Sequence, residues 1–202
     1  MRPSLVLAAI GLFVAESCLA SEAGPHPYLS YSASGAAMGN AVVSLPAHPT
    51  NTWTNPAGLA FVEGYLFYAA PHDEVSGYRD DLRDRVFAAS AGRGRAGGFG
   101  VALLVRQNDD QLYQVGEGPL LATDILEPSL YLAYGRMLGE KWAGGISLLA
   151  YQRRTDADEL RSDPTAGLTA GVLRVFRHEL RGKLPLESRW AFTAANVGPS
   201  FD

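Results

Sequence analysis

Around residue 100 the chain alternates without interruption. Phe99, Val101, Leu103 and Val105 are large and apolar, while Gly98, Gly100 and Ala102 between them are small. A repeat of two sends successive side chains to opposite faces, which marks a two-faced β-strand. Related segments recur along the chain. Residues 65–69 and 85–91 precede this one. Residues 128–138 set Leu130, Leu132 and Tyr134 on one face. Residues 142–153 oppose Ile146, Leu148 and Ala150 to Ser147, Leu149 and Tyr151. Residues 166–177 oppose Leu168, Ala170 and Val172 to Thr169, Gly171 and Leu173, and residues 189–196 close the series. About seven strands are predicted, with lengths near the ~9–11 residues of a tilted strand that crosses a membrane. Antiparallel neighbours need only short links, so a meander is the simplest topology.

The links alternate in length. Residues 71–84 form a long polar link, and a short Gly-rich one follows at 92–98. Residues 107–127 form a long link, 139–141 a tight turn, and 155–165 an acidic loop. Outer-membrane barrels alternate long extracellular loops with short periplasmic turns in this way. The stretch 178–188 should be short and reads as long. Tyr65, Tyr68, Tyr113, Tyr131, Trp142, Tyr151 and Trp190 lie near strand ends, as interface girdles do, although core aromatics would explain part of that set. No apolar run after residue 20 is long enough for a spanning helix, so any membrane role falls to strands.

The chain starts with Met1-Arg2, an apolar run from Leu5 to Ala15, and Cys18-Leu19-Ala20. A basic start, a short apolar core and a small residue at the end describe a secretory signal peptide over residues 1–20. The alternative is acylation of Cys18, against which Glu16 and Ala15 argue. Cys18 is the one cysteine, so a chain cleaved after Ala20 forms no disulfide and no thiolate metal site. The net charge of −4 over 202 residues argues against nucleic acid. The hydrophobic share of 47% and a mean hydropathy of −0.01 fit an ordinary soluble domain. They fit a barrel equally, because lipid-facing and lumen-facing residues cancel.

Between the signal and the first strand, residues 21–54 have no sustained period. Pro25, Pro27, Pro46 and Pro49 interrupt them, and a short helical turn over 36–43 is compatible with the pattern. The segment carries Met38-Gly39-Asn40 and ends on Asn55-Pro56-Ala57-Gly58-Leu59. Proline fixes φ and Gly58 is able to adopt a left-handed conformation, which predicts a defined turn. Asn55 before proline is pushed to an extended backbone, and its side chain can cap nearby amides.

The order of signal, small-residue segment with Met38-Gly39-Asn40, NPAGLA and amphipathic strands resembles the PorV/FadL group of bacterial outer-membrane β-barrels. The resemblance is specific over residues 31–62 and architectural beyond them. It implies an all-β fold: a transmembrane antiparallel β-barrel over residues 63–202, preceded by an irregular hatch-like segment over 21–62. Met38, Gly39, Asn40, Asn55, Pro56, Ala57, Gly58 and Leu59 would be the junction between hatch and barrel. PorV-like members act in type IX secretion and FadL-like members move hydrophobic molecules; the Met-Gly-Asn form leans to PorV. Barrels of both kinds have about twice the predicted number of strands, and Asn196-Val197-Gly198-Pro199 resembles a mid-barrel segment. The expectation is therefore a partial barrel, completed by further sequence, by a second chain, or by an eighth strand drawn from 21–62.

The remaining motifs carry no chemistry of their own. Gly92-Arg93-Gly94-Arg95-Ala96-Gly97 matches a dinucleotide fingerprint, but a strand follows it where a helix is needed, so it reads as a hairpin turn. His26, His48, His72 and His178 lack ligand spacing. The acidic clusters Asp80, Asp81, Asp84 and Asp156, Asp158, Glu159, Asp163 read as solvated loops. Arg153, Arg154, Arg161, Arg174 and Arg177 read as surface residues, with a lumen or lipid headgroups as the alternative. No nucleophile–base arrangement has supporting context. The expectation is a non-enzymatic outer-membrane protein without cofactor or metal. Its partners would be outer-membrane lipid and either secretion-system proteins or a hydrophobic small molecule. The alternative from another class is a secreted soluble β-domain.

Overall fold

A computed structural model describes residues 32, 35, 37, 42–73, 82–113, 121–157, 161–180 and 184–197. The signal peptide, Cys18, and Met38, Gly39 and Asn40 lie outside them, as do all but two residues of the earlier part of the N-terminal segment between 33 and 41. Those two, Gly35 and Ala37, have helical backbone.

The strands are β1 (Glu63–Asp73), β2 (Leu82–Arg93), β3 (Gly98–Tyr113), β4 (Leu121–Met137), β5 (Trp142–Tyr151), β6 (Arg154–Thr155), β7 (Thr165–Leu180) and β8 (Leu184–Val197). They form one antiparallel sheet in the order β1-β2-β3-β4-β5-β7-β8. The two-residue β6 pairs with β4 at Ile125 and Leu126. It continues the line of β5 after an irregularity at Gln152 and Arg153. The fold is therefore all-β and a meander, and each of the seven predicted segments falls on a long strand, with 128–138 overrunning β4 by one residue and 142–153 overrunning β5 by two. Among the described residues the sheet is not closed: β1 pairs with β2 alone and β8 with β7 alone.

The strands are longer than the alternation predicts. β3 runs on to Tyr113 and β4 begins at Leu121, so most of the expected link 107–127 is paired backbone, with Arg106 opposite Glu127 and Asn108 opposite Ile125. The expected long link 178–188 is also mostly strand, with His178 opposite Leu186 and Leu180 opposite Leu184. Polar residues donate and accept ladder bonds as well as apolar ones, so the ladder extends past the point where the hydrophobic pattern fades. The Gly-rich link is a hairpin turn, as expected. Gly94 and Gly97 take φ of 53° and 94° there, and the Gly97 N–H donates to the Gly94 carbonyl at 2.9 Å.

The two faces of the sheet differ in kind. One carries Tyr65, Phe67, Phe87, Phe99, Val101, Leu103, Leu130, Leu132, Ile146, Leu148, Leu168, Val172, Trp190 and Phe192, all exposed. Cross-strand register joins them into one surface, for example Val101–Leu132–Leu148–Leu168 across four strands. The other face is built of glycine, alanine, serine, threonine and a few larger residues, and it is buried beneath residues 42–62. The large apolar side chains thus point away from the buried face, the reverse of the usual arrangement in a water-soluble sheet.

Candidate functional site

The buried face is the seat of the segment 42–62, and its centre is the motif singled out in the sequence. Asn55 has φ −155° and ψ 97°, the extended backbone that a following proline imposes, and its Oδ1 accepts from the Ala57 N–H at 3.1 Å. It caps a 3-10 helix over Pro56–Phe61. Its Nδ2 donates to the Val43 carbonyl at 2.8 Å and reaches the Val172 carbonyl of β7 at 3.4 Å. One fully buried amide therefore holds the helix start, the preceding loop and a strand together.

Gly58 departs from expectation. It lies within the 3-10 helix, and the glycines with positive φ among the described residues are Gly64, Gly94 and Gly97. Glycine is required here for a different reason: a Cβ would run into the Asn51 side chain. Asn51 in turn accepts from the His48 N–H at 2.6 Å and donates to the Leu45 carbonyl at 2.9 Å. The Gly58 carbonyl receives the N–H of Ala47, which itself has φ 51°. His48 Nδ1 sits 2.7 Å from Thr50 Oγ1 and accepts from the Thr50 N–H at 3.3 Å. Burial pushes its imidazole below the usual pKa of 6.5, which keeps that nitrogen free to accept.

The helix lies across the strands on a row of glycines. Gly92, Gly98, Gly135, Gly145 and Gly171 are successive register partners on β2, β3, β4, β5 and β7. A Cβ at each would strike the segment in turn: the Val62 carbonyl at Gly92, the Leu59 carbonyl at Gly98, the Pro56 carbonyl at Gly135, Pro56 and Ala57 backbone at Gly145, and the Asn55 amide at Gly171. The geometry has a simple origin. A 3-10 helix has three residues per turn and rises about 2 Å per residue, so the carbonyls of residues 56, 59 and 62 line one side about 6 Å apart. Neighbouring strands are about 4.8 Å apart. Successive carbonyls therefore fall on successive strands, close enough for Cα–H···O contacts where no side chain intervenes.

Beyond the glycine row the buried face is layered. Trp53, fully buried, packs among Val86, Ala88, Ala102, Leu104, Tyr131, Leu149 and Tyr151. Tyr131 and Tyr151 thus belong to this inner cluster and not to an outer girdle, whereas Tyr65, Trp142 and Trp190 do face outward. Eight residues along β2 from Gly92, about 27 Å at strand rise, comes a charged row. Arg106 donates to both oxygens of its register partner Asp84, at 2.9 and 3.1 Å. Its other register partner, Glu127, accepts from Tyr151 Oη at 2.7 Å and from Arg153 Nε at 2.8 Å. Acid and base alternate across four neighbouring positions, so each charge has an opposite neighbour. Asp84 and Arg153, read from the sequence as solvated loop and surface residues, belong to this inner row.

Among the described residues no group of three or more His, Cys, Asp or Glu side chains is placed to hold a metal, and no helix is long and apolar enough to cross a membrane. The glycine row, Trp53 and Asn51 escaped the sequence reading, although Gly135, Gly145 and Gly171 in three predicted strands, with Gly92 and Gly98 at the ends of a predicted link, were the available signal. No family model matches the chain, and no curated protein or solved structure matches it at a significant level.

Proposed function

We infer that the sheet is the wall of an outer-membrane β-barrel and that residues 42–62 form a hatch fixed within it. The observation that carries this reading is the inversion of the two faces. The outward apolar surface runs on β4 from Leu126 to Tyr134, about 27 Å along the strand. At a tilt of roughly 40° this spans about 21 Å, close to the ~25 Å apolar band of such barrels. A soluble sandwich would cover this surface with a second sheet, and among the described residues no element packs on it. The resemblance of the Asn55–Leu59 junction to the PorV/FadL group supports the same reading.

Within that group, the inner surface favours a PorV-like component of protein secretion over a channel for hydrophobic compounds. The row Asp84–Arg106–Glu127–Arg153 puts charge where an uptake channel needs a continuous apolar path. The outer membrane is the proposed location, and lipid and secretion-system proteins are the proposed partners. The test is a detergent pull-down of the tagged full chain from fractionated cells, read by mass spectrometry. Recovery in the outer-membrane fraction with secretion proteins is expected. Recovery as a detergent-free soluble monomer would overturn the membrane reading, and outer-membrane recovery without such partners would overturn the secretion role.

A further inference from the structure

Just past the apolar band on the short-turn side, the outer face of the sheet changes character. Trp142, Arg174 and Trp190 are successive register partners on β5, β7 and β8. The Arg174 guanidinium carbon lies 4.8 Å from the centre of the Trp142 ring and 4.1 Å from that of Phe176. Both distances are within the range of cation–π attraction. Phe176 meets Trp190 edge-on at 6.1 Å. Two aromatic faces therefore hold the planar cation, and a third ring braces one of them.

The rings satisfy the guanidinium as a cation but not as a hydrogen-bond donor. Its Nε is withdrawn from solvent without an acceptor, and among the described residues no carboxylate pairs with it. Its fork of N–H groups suits a tetrahedral oxyanion. On β7 the outward residues before it are Leu168, Ala170 and Val172, so Arg174 is the first outward charge past the apolar band on that strand. Arg136 on β4 and Lys141 in the β4–β5 turn stand exposed at the same end. In a bilayer this is the depth of the phosphate groups, where tryptophan rings also settle.

We propose that Trp142, Arg174, Phe176 and Trp190 form a binding site for the phosphate of an anionic phospholipid in the leaflet on the short-turn side. This rests on the membrane reading above. Phosphate oxygens supply the negative charge that no carboxylate among the described residues brings to Arg174, and the acyl chains lie along Val172, Phe192 and Ile146. One basic group near an anionic surface favours an anionic over a zwitterionic lipid by about fivefold.

The chain contains three tryptophans, and Trp53 is fully buried on the inner face. In a Trp53→Phe background, emission reports on Trp142 and Trp190 alone. The full chain is reconstituted in phosphatidylcholine bilayers with brominated phosphatidylglycerol or brominated phosphatidylcholine as quencher, and the wild-type chain is run alongside. The expected result is half-maximal quenching at about fivefold lower mole fraction of the brominated phosphatidylglycerol. Arg174→Gln should abolish that preference. Arg174→Lys, which keeps the charge and loses the stacked fork, should reduce it and serves as the test if Arg174→Gln fails to fold by circular dichroism. Excess inorganic phosphate should leave the preference intact. Equal quenching by both lipids, or a preference that survives Arg174→Gln, overturns the site while leaving the membrane reading standing. Competition by inorganic phosphate reassigns the site to the free ion and overturns the lipid proposal. Absence of quenching by either lipid overturns the membrane reading itself.

Discussion

A single methyl group added at Gly145 tests the seat of the helix. The Cβ of Gly145→Ala would lie 2.6 Å from the Pro56 carbonyl oxygen and nearer still to the Pro56 carbonyl carbon. Carbon–carbon contacts are optimal at about 3.5–4.0 Å, so the helix must retreat by about 1 Å or more or β5 must bow. Both neighbours are backbone, and no side-chain rotation relieves the clash. Overpacking of this kind costs about 1–3 kcal/mol. For a chain of this size that lowers the apparent melting temperature by about 3–10 °C. Gly135→Ala meets the same Pro56 carbonyl and should behave alike. Because both substitutions push the same residue, the double variant should lose less than the sum. Gly139→Ala is the control, since nothing lies within 4 Å of a Cβ there. The assay is thermal unfolding in detergent followed by circular dichroism and by the emission of buried Trp53. If Gly145→Ala and Gly135→Ala melt with the Gly139→Ala control, the helix does not rest on the glycine row and the account of the seat is wrong.

Two further outcomes follow from the same inner face. Asn55→Ala removes the cap and strands the buried Ala57 N–H and the Val43 carbonyl; a loss of about 1–3 kcal/mol is expected by chemical denaturation, with Asn55→Asp recovering part of it through the retained Oδ1 acceptor. Asp84→Ala leaves the half-buried Arg106 without its two-pronged partner and should cost about 3 kcal/mol, whereas Asp84→Leu with Arg106→Met should restore most of that loss in the same titration.

The seven strands and their meander order were legible because their outward residues alternate with smaller ones, as at Phe99–Val105 and Ile146–Ala150. Strand length was less legible. From Arg106 to Gln111 every residue is polar, so no hydrophobic period remains, yet the backbone of β3 continues to pair with 121–127. The NPAGLA motif was visible, and so was the capping role of Asn55. The role of Gly58 was misread, because its constraint comes from Asn51, seven residues earlier, and not from its own backbone angles. The glycine row is a property of cross-strand register. Each glycine alone looks like a weak strand residue, and only the pairing brings Gly92, Gly98, Gly135, Gly145 and Gly171 into line. Trp53 sits in an aperiodic stretch, where sequence offers no face to assign it to.

The inverted faces and the open edges make one physical argument. A surface carrying Phe67 at 80% exposure and Tyr65 at 76% is unfavourable in water at roughly 25 cal/mol per Å² of apolar area, and lipid removes that penalty. Lipid also raises the stakes for the backbone, because each unpaired N–H or C=O in hydrocarbon costs several kcal/mol. In an antiparallel strand about half of these groups point to each side. Among the described residues β1, with 11 residues, and β8, with 14, therefore each present several unpaired groups. The outward side chains favour the bilayer, and the two edges forbid it unless they are paired. If the membrane reading holds, β1 and β8 must find neighbours outside the described sheet, and the hatch, seated by backbone contact on β2 to β7, is already in place to set the curvature on which those neighbours close.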